Sequence, residues 1–284
     1  MAGTYRADSA PTQFVASALA RYGYRELGPE GDIPVVLLQR FRGTIDDWDP
    51  YLVDLLSENR RVILLDNVGV GSSDGTSPST VKEMGDGLAD FLQAMNLPQI
   101  DLIGWSMGGF VAQLFALDHP DLVRRVVIAG TGPGEPSIRP VEDQRSVEIR
   151  AKVDLDIPDI LFIFFPDTDE GRAAGIEVLG RCYHHESGEI LTVKEESWKN
   201  QAEAISRWNS GDGSAWSRLS ELRVPMLVTA GAQDVMEEAV QAFETSRQVN
   251  GLSSTTIFSN SGHAFLFQHA ERFASTATNF LAGN

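Results

Sequence analysis

The stretch Ile100-Asp101-Leu102-Ile103-Gly104-Trp105-Ser106-Met107-Gly108-Gly109 decides the reading of this 284-residue chain. An apolar-leaning run passes straight into a serine flanked by glycines. An apolar helix follows at once, with Phe110, Val111, Leu114 and Phe115 as its buried stripe. A sharp strand-to-helix turn holds a hydroxyl up at a helix start only if its neighbours carry no crowding side chains, and Gly104 and Gly108 meet that need. Ser106 is therefore the candidate nucleophile. Gly-x-Ser-x-Gly is common by chance in a chain with 26 glycines, so its context carries the weight.

Outward from that turn, short apolar runs alternate with helical periodicity, the pattern of parallel strands joined by covering helices. Val35-Val36-Leu37-Leu38-Gln39, Val62-Ile63-Leu64-Leu65-Asp66, Ile100 to Gly104, Val123 to Ala129 and Met226-Leu227-Val228-Thr229-Ala230 read as buried strands. Thr255-Thr256-Ile257-Phe258 reads as the last strand, and Tyr22 to Leu27 with the region near Phe14 as an antiparallel hairpin at the start. Thr80-Val81-Lys82-Glu83 has the form of a capping box, followed by Val81, Met84, Leu88, Phe91, Leu92 and Met95 at helical spacing. Gly85 and Gly87 weaken that helix by about 1 kcal/mol each against alanine. Pro120 closes the helix after Ser106, which makes His119 a helix-end residue.

Between about Gly134 and Ser217 the alternation stops. The expected arrangement is an α/β core from 1–133 and 218–284, with 134–217 inserted as a mainly helical lid. The most apolar part of the insert, Ile157-Pro158-Asp159-Ile160-Leu161-Phe162-Ile163-Phe164-Phe165-Pro166, is either a wall over the site or packing within the lid. Phe162, Phe165 and Trp105, the neighbour of Ser106, are the candidate pocket residues.

Serine needs a base to become nucleophilic at neutral pH, and the base needs an acid to fix its tautomer and stabilise its cation. In an open parallel sheet these groups come from loops at the carboxyl ends of strands. Asp234 follows the strand Met226 to Ala230 in Gly231-Ala232-Gln233-Asp234, although Glu237 and Glu238 stand close by. His263 follows Thr255 to Phe258, in Ser259-Asn260-Ser261-Gly262-His263. His184 and His185 fall in the insert and His269 on the final helix, without a carboxylate-histidine pattern at zinc spacing, so no metal is expected.

These residues resemble the α/β-hydrolase family along nearly the whole chain. Gly104-Trp105-Ser106-Met107-Gly108-Gly109 looks like its nucleophile elbow, Gly231 to Asp234 like its acid loop and Ser261-Gly262-His263 like its histidine loop. Trp48-Asp49-Pro50, Asp66-Asn67-Val68-Gly69-Val70-Gly71-Ser72-Ser73 and His119-Pro120-Asp121-Leu122-Val123 are further echoes. The resemblance implies a mostly parallel, twisted sheet of about eight strands flanked by helices. It also implies an oxyanion hole made by the backbone N–H groups of Met107 and Phe41. Two positions depart from the family: Gln39-Arg40 stands where His-Gly is usual, and Val68 where arginine is common. Arg40 and Arg42 are expected to be a solvated pair or else to hold a substrate carboxylate.

With 23 Lys and Arg against 40 Asp and Glu, the formal net charge of −17 repels phosphate backbones and anionic membranes. Neither a signal peptide nor a membrane anchor is indicated in the first twenty residues, and the single cysteine, Cys182, allows no intrachain disulfide. A cytoplasmic protein with a small-molecule substrate, no cofactor and possible self-association is expected. The function expected is hydrolysis of a small, largely apolar carboxylic ester or lactone through an acyl-enzyme. The rivals are a cofactor-free haloperoxidase or perhydrolase, a carbon–carbon bond hydrolase, and a ligand receptor on the hydrolase fold. Aspartate-nucleophile dehalogenase and epoxide hydrolase chemistry is disfavoured by Ser106.

Overall fold

The computed structural model describes residues 5–31, 33–135, 143–182 and 191–283. Its strands are β1 (Gln13–Ala16), β2 (Arg21–Leu27), β3 (Val35–Leu38), β4 (Val62–Leu65), β5 (Ile100–Trp105), β6 (Val123–Ala129), β7 (Met226–Gly231) and β8 (Ser253–Phe258). They form one sheet in the order β1-β2-β4-β3-β5-β6-β7-β8. β1 pairs antiparallel with β2, and β2 antiparallel with β4; every other pairing is parallel.

The helices are α1 (Arg6–Ser9), α2 (Pro50–Leu56), α3 (Val81–Ala94), α4 (Met107–Asp118), α5 (Gln144–Arg150), α6 (Ile157–Phe164), α7 (Asp169–Arg181), α8 (Glu195–Asn209), α9 (Ala239–Gln248), α10 (Phe265–Gln268) and α11 (Ala270–Ala282). Alternation along the strands divides the core between the two sheet faces. Val36, Leu38, Ile63, Leu65 and Leu102 pack with α3 and α4, whereas Val35, Leu37, Val62, Leu64 and Ile103 pack with α2 and α11. Burial on both faces is what continuous apolar runs demand of a parallel sheet. α4 is buried on every side from Met107 to Ala116, which is why its sequence has no polar stripe.

The sheet reverses direction of growth between β3 and β5, because β3 leads to β4 on one side and β5 leads to β6 on the other. The loops after β3 and β5 therefore splay apart and leave a crevice at their carboxyl ends. α5, α6, α7 and α8 come between β6 and β7 in sequence and roof that crevice.

Local expectations are met with refinements. His119 caps the end of α4, its N–H donating to Phe115 O at 2.8 Å. Thr80 caps α3 by accepting from Glu83 N, but the Glu83 carboxylate takes the Thr80 hydroxyl at 2.6 Å instead of completing the box through the backbone. Val68 fills a tight contact with α3: a Cβ on Gly87 would lie 3.1 Å from its methyl and 2.6 Å from Asn67 Oδ1.

The glycines of the two central helices differ in purpose. A Cβ on Gly108 would fall 2.2 Å from the Leu38 carbonyl oxygen, so α4 can lie against β3 only with glycine there. A Cβ on Gly85 would meet only Phe115, at an ordinary 3.7 Å. Opposite signs follow for one chemical change. Urea unfolding should show Gly108→Ala destabilised by about 1–3 kcal/mol through overpacking. Gly85→Ala should gain about 0.5–1 kcal/mol from reduced chain entropy.

Candidate active site

Ser106 joins β5 to α4 with φ 54° and ψ −122°, a region that a side chain rarely enters. The turn is clamped on both sides: Ser106 N–H donates to Ala129 O at 2.8 Å, and Gly109 N–H donates to Ser106 O at 2.7 Å. Gly104 supplies the clearance, since a Cβ there would lie 2.3 Å from Gly108 O. The result lifts the Ser106 side chain from the end of the sheet into a cavity of about 860 Å³.

The loop after β7 delivers Asp234 and the loop after β8 delivers His263. Gln233 N–H donates to Ser261 O at 2.9 Å, and a Cβ on Gly231 would strike Gly262 O at 2.1 Å, so the two loops lie backbone to backbone. Asp234 Oδ1 accepts from the N–H groups of Met236 at 2.8 Å and Glu237 at 2.9 Å. Its Oδ2 faces His263 Nδ1 at 2.7 Å, with both side chains fully buried. Gly130, at φ 53°, leaves room for the pair, because a Cβ there would sit 3.2 Å from His263 Nδ1.

A carboxylate bonded to Nδ1 keeps the ring proton on that nitrogen and leaves Nε2 as the lone-pair atom. His263 Nε2 is buried without a hydrogen-bond partner, and His263 lines the same cavity as Ser106. The imidazole shares a three-ring cluster with Trp105 and Phe164, at centroid distances of 5.6 and 5.8 Å. Trp105 Nε1 also donates to His263 O at 3.1 Å, so the residue beside Ser106 helps hold the loop that carries His263.

The loop after β3 answers the departure at Gln39-Arg40. Gln39 Oε1 accepts from Arg40 N at 2.7 Å and Gln39 Nε2 donates to Thr44 O at 3.1 Å, tying both ends of the turn. Phe41 lines the cavity, and Arg42 adopts φ 57° as the chain turns back. Among the described residues the N–H groups of Phe41 and Met107 have no acceptor. The Met107 N–H is one of the open donors at the start of α4, where the helix dipole favours negative charge.

The arginines are not a solvated pair. Arg40 Nη2 meets Asp47 Oδ1 at 2.5 Å and its guanidinium lies 5.1 Å from the Phe164 centroid. Arg42 donates to Lys152 O at 2.9 Å and to Val153 O, which ties the loop after β3 to the segment after α5.

Trp105 and Phe165 line the cavity; Phe162 does not. Its ring packs under the Arg145 guanidinium, 3.8 Å away, on the opposite side of α6 from Ile160, Ile163 and Phe164. Ile163, Phe164 and Phe165 are at once cavity wall and buried core, so the alternatives posed by that apolar run are not exclusive. Phe110, read from sequence only as helix core, and Trp198 and Phe267, which the sequence did not single out, add to the apolar lining. Cys182 also lines it, but burial pushes its thiol pKa up and keeps it protonated. His269 stacks on Phe258, away from the cavity, with burial lowering its pKa. His184 and His185 lie outside the described residues.

Comparison with known proteins places this geometry. A family model described as alpha/beta hydrolase fold matches residues 33–150. A solved structure described as an alpha/beta hydrolase fold protein from Chitinophaga pinensis superposes with a TM-score of 0.88 and 30% identity, covering 97% of this chain and 98% of that one. The chain belongs to the α/β-hydrolase fold family. Among curated members, this hydrolase is 28% identical over 275 residues to the 2-hydroxy-6-oxononadienedioate/2-hydroxy-6-oxononatrienedioate hydrolase of Paraburkholderia xenovorans, with 91% of this chain and 90% of the relative covered. It is 25% identical over 270 residues to a proline iminopeptidase of Heyndrickxia coagulans, covering 88% and 91%. Among the described residues no helix of the hydrolase is long and apolar enough to cross a membrane.

The backbone at Ser106 gives a stability test independent of any substrate. Glycine adopts this conformation without a Cβ penalty, so Ser106→Gly should raise the unfolding free energy by about 1 kcal/mol. Ser106→Ala, which keeps the Cβ, should change it little, as measured by denaturant unfolding of both variants.

Proposed function

We propose that the protein is a serine hydrolase that cleaves a small, largely apolar carboxylic ester or lactone through an acyl-enzyme. The observation that carries this reading is the buried Asp234–His263 pair, which leaves a lone-pair nitrogen free in the cavity that contains Ser106.

In this scheme Ser106 Oγ attacks the carbonyl carbon while its proton passes to His263 Nε2. The imidazolium so formed is stabilised by the Asp234 carboxylate, which stays ionised. Charge that develops on the carbonyl oxygen is received by the Phe41 and Met107 N–H groups, donors that need no reorganisation because neither is engaged elsewhere. Collapse expels the alkoxide, which takes the proton from His263, and leaves the acyl group on Ser106. Water then enters by the same route: His263 removes its proton, the oxygen adds to the acyl carbon, and Ser106 departs with the proton returned. For a lactone the expelled alkoxide remains part of the acyl chain. The apolar walls from Phe110, Phe164, Phe165, Trp198 and Phe267 favour an acyl or alcohol portion without charge.

Carbon–carbon bond hydrolysis is the second reading, favoured by the relative from Paraburkholderia xenovorans. It differs in the leaving group, a carbanion equivalent in place of an alkoxide, and uses the same three side chains.

Intact-protein mass after treatment with a fluorophosphonate should show one adduct, absent in Ser106→Ala. The wild type should turn over members of a panel of aryl esters and lactones with an initial burst of alcohol, whereas Ser106→Ala should lose at least about 10³-fold in kcat. Activity retained in that variant would end the acyl-enzyme reading. Turnover confined to vinylogous diketones would transfer the assignment to carbon–carbon cleavage.

A further inference from the structure

The acid loop brings a second carboxyl group to the cavity, one that acyl transfer leaves unused. Glu237 donates its backbone N–H to Asp234 Oδ1 at 2.9 Å, so the turn that fixes Asp234 also fixes Glu237. Its side chain lines the cavity that holds Ser106 and His263. Gln241 Nε2, from α9, donates to Glu237 Oε2 at 2.8 Å, and the Gly132 N–H donates to the same carboxyl.

The seat is built around this acid. A Cβ on Gly132 would lie 1.8 Å from Gln241 Oε1 and 3.1 Å from Glu237 Oε2, so the ends of these two side chains fill the space that glycine leaves in the loop after β6. Gly132 O is itself held by Gln113 Nε2 at 3.0 Å and Trp208 Nε1 at 3.3 Å. The charged groups facing Glu237 are Asp234 from its own loop and Arg150 from α5. His263 lies beyond Asp234 and also borders the cavity.

Asp234 accepts two backbone N–H groups and faces the imidazole, whereas Glu237 receives the Gln241 amide and the Gly132 N–H beside the same apolar walls. Burial of a carboxyl group next to a second one favours its protonated form, which points to the proton on Glu237. Burial first and Asp234 second push its pKa up to about 8, against the opposing effects of Arg150, Gln241 and the Gly132 N–H.

We infer that Glu237 is a specificity-determining residue of this site, one that donates a hydrogen bond to a second, uncharged carbonyl oxygen carried by the substrate that Ser106 attacks. The inference rests on the acyl-enzyme reading above and narrows its substrate class to oxo-substituted esters or lactones. Gln241 and Gly132 occupy acceptor capacity of the carboxyl group and leave its O–H as the group to offer. Below pH 8 that O–H is present. Above it the carboxyl group becomes an anion, loses the donor and repels a carbonyl oxygen, so the preference fades as pH rises.

The test uses two matched substrate pairs: 4-nitrophenyl 4-oxopentanoate against 4-nitrophenyl pentanoate, and 2-oxopropyl butanoate against propyl butanoate. The first puts the extra carbonyl in the acyl portion and the second in the alcohol. Within a pair, the pH dependence of the shared acyl-transfer steps cancels from the ratio of kcat/KM values, which leaves recognition of the carbonyl. At pH 7 the wild type should prefer the oxo member of one pair by about tenfold, the worth of one hydrogen bond. Glu237→Gln, whose amide still donates, should keep the preference and keep it unchanged to pH 9. Glu237→Leu should abolish it, and the wild-type preference should fall as pH rises through about 8. A wild type with no preference in either pair, or a preference that survives in Glu237→Leu, would overturn the assignment while leaving the acyl-enzyme reading intact. A Ser106 that no fluorophosphonate labels and no ester acylates would overturn both.

Discussion

The close approach of β3, β5 and α4 at Gly104 and Gly108 is the constraint on which the site depends. Backbone packs on backbone there with no room for a methyl group, and the chain can then turn through Ser106 only by entering a conformation that side chains avoid. That strain, of order 1–3 kcal/mol for a residue so held, is sustained by burial of α4 on all sides and by the clamp to Ala129 O. Its return is positional: the hydroxyl stands clear of the sheet at the start of a helix, beside N–H groups with no other partner.

The same economy of space governs the facing loops. Gly231 lets the loops that carry Asp234 and His263 lie against each other, Gly262 lets the second of them meet the backbone at Phe164 and Phe165, and Gly130 leaves a gap into which the Asp234–His263 pair fits. Trp105 connects the halves, since its ring faces the imidazole and its N–H holds the His263 carbonyl. Ser106 and His263 are thus joined through rigid backbone and a buried aromatic ring as well as through whatever bond Ser106 makes in a complex. The roofing helices attach by side chain and by backbone, with Arg42 reaching the carbonyls after α5 and Phe164 O accepting the Ala264 N–H at 2.8 Å.

Much of this was readable in the residue order. Buried parallel strands announce themselves as unbroken apolar runs; β3 to β7 and the more exposed, threonine-rich β8 all lie within about two residues of the sequence reading at each end, with Ser106, Asp234 and His263 following β5, β7 and β8. What escaped had no periodic or compositional signal. Apart from Asp159 every residue of α6 is apolar, so spacing could not tell that Phe164 faces the cavity and Phe162 faces Arg145. The tether from Gln39 to Thr44 is a pairing of side chain with backbone that sequence does not show, and it supplies what the missing His-Gly left open. Glu237 looked like a competitor of Asp234; only the turn geometry shows that it faces the cavity and Asp234 faces the histidine.

The central claim is that one backbone arrangement brings Ser106, His263 and the two open N–H groups to a common point. It is tested most directly by a crystal structure of the protein after reaction with a fluorophosphonate. Phosphorus should be bonded to Ser106 Oγ, with one phosphonyl oxygen within about 3.1 Å of the Phe41 and Met107 nitrogens and His263 Nε2 facing another substituent oxygen. An adduct whose oxygens point away from both nitrogens, or phosphonylation at another residue with Ser106 untouched, would contradict the account.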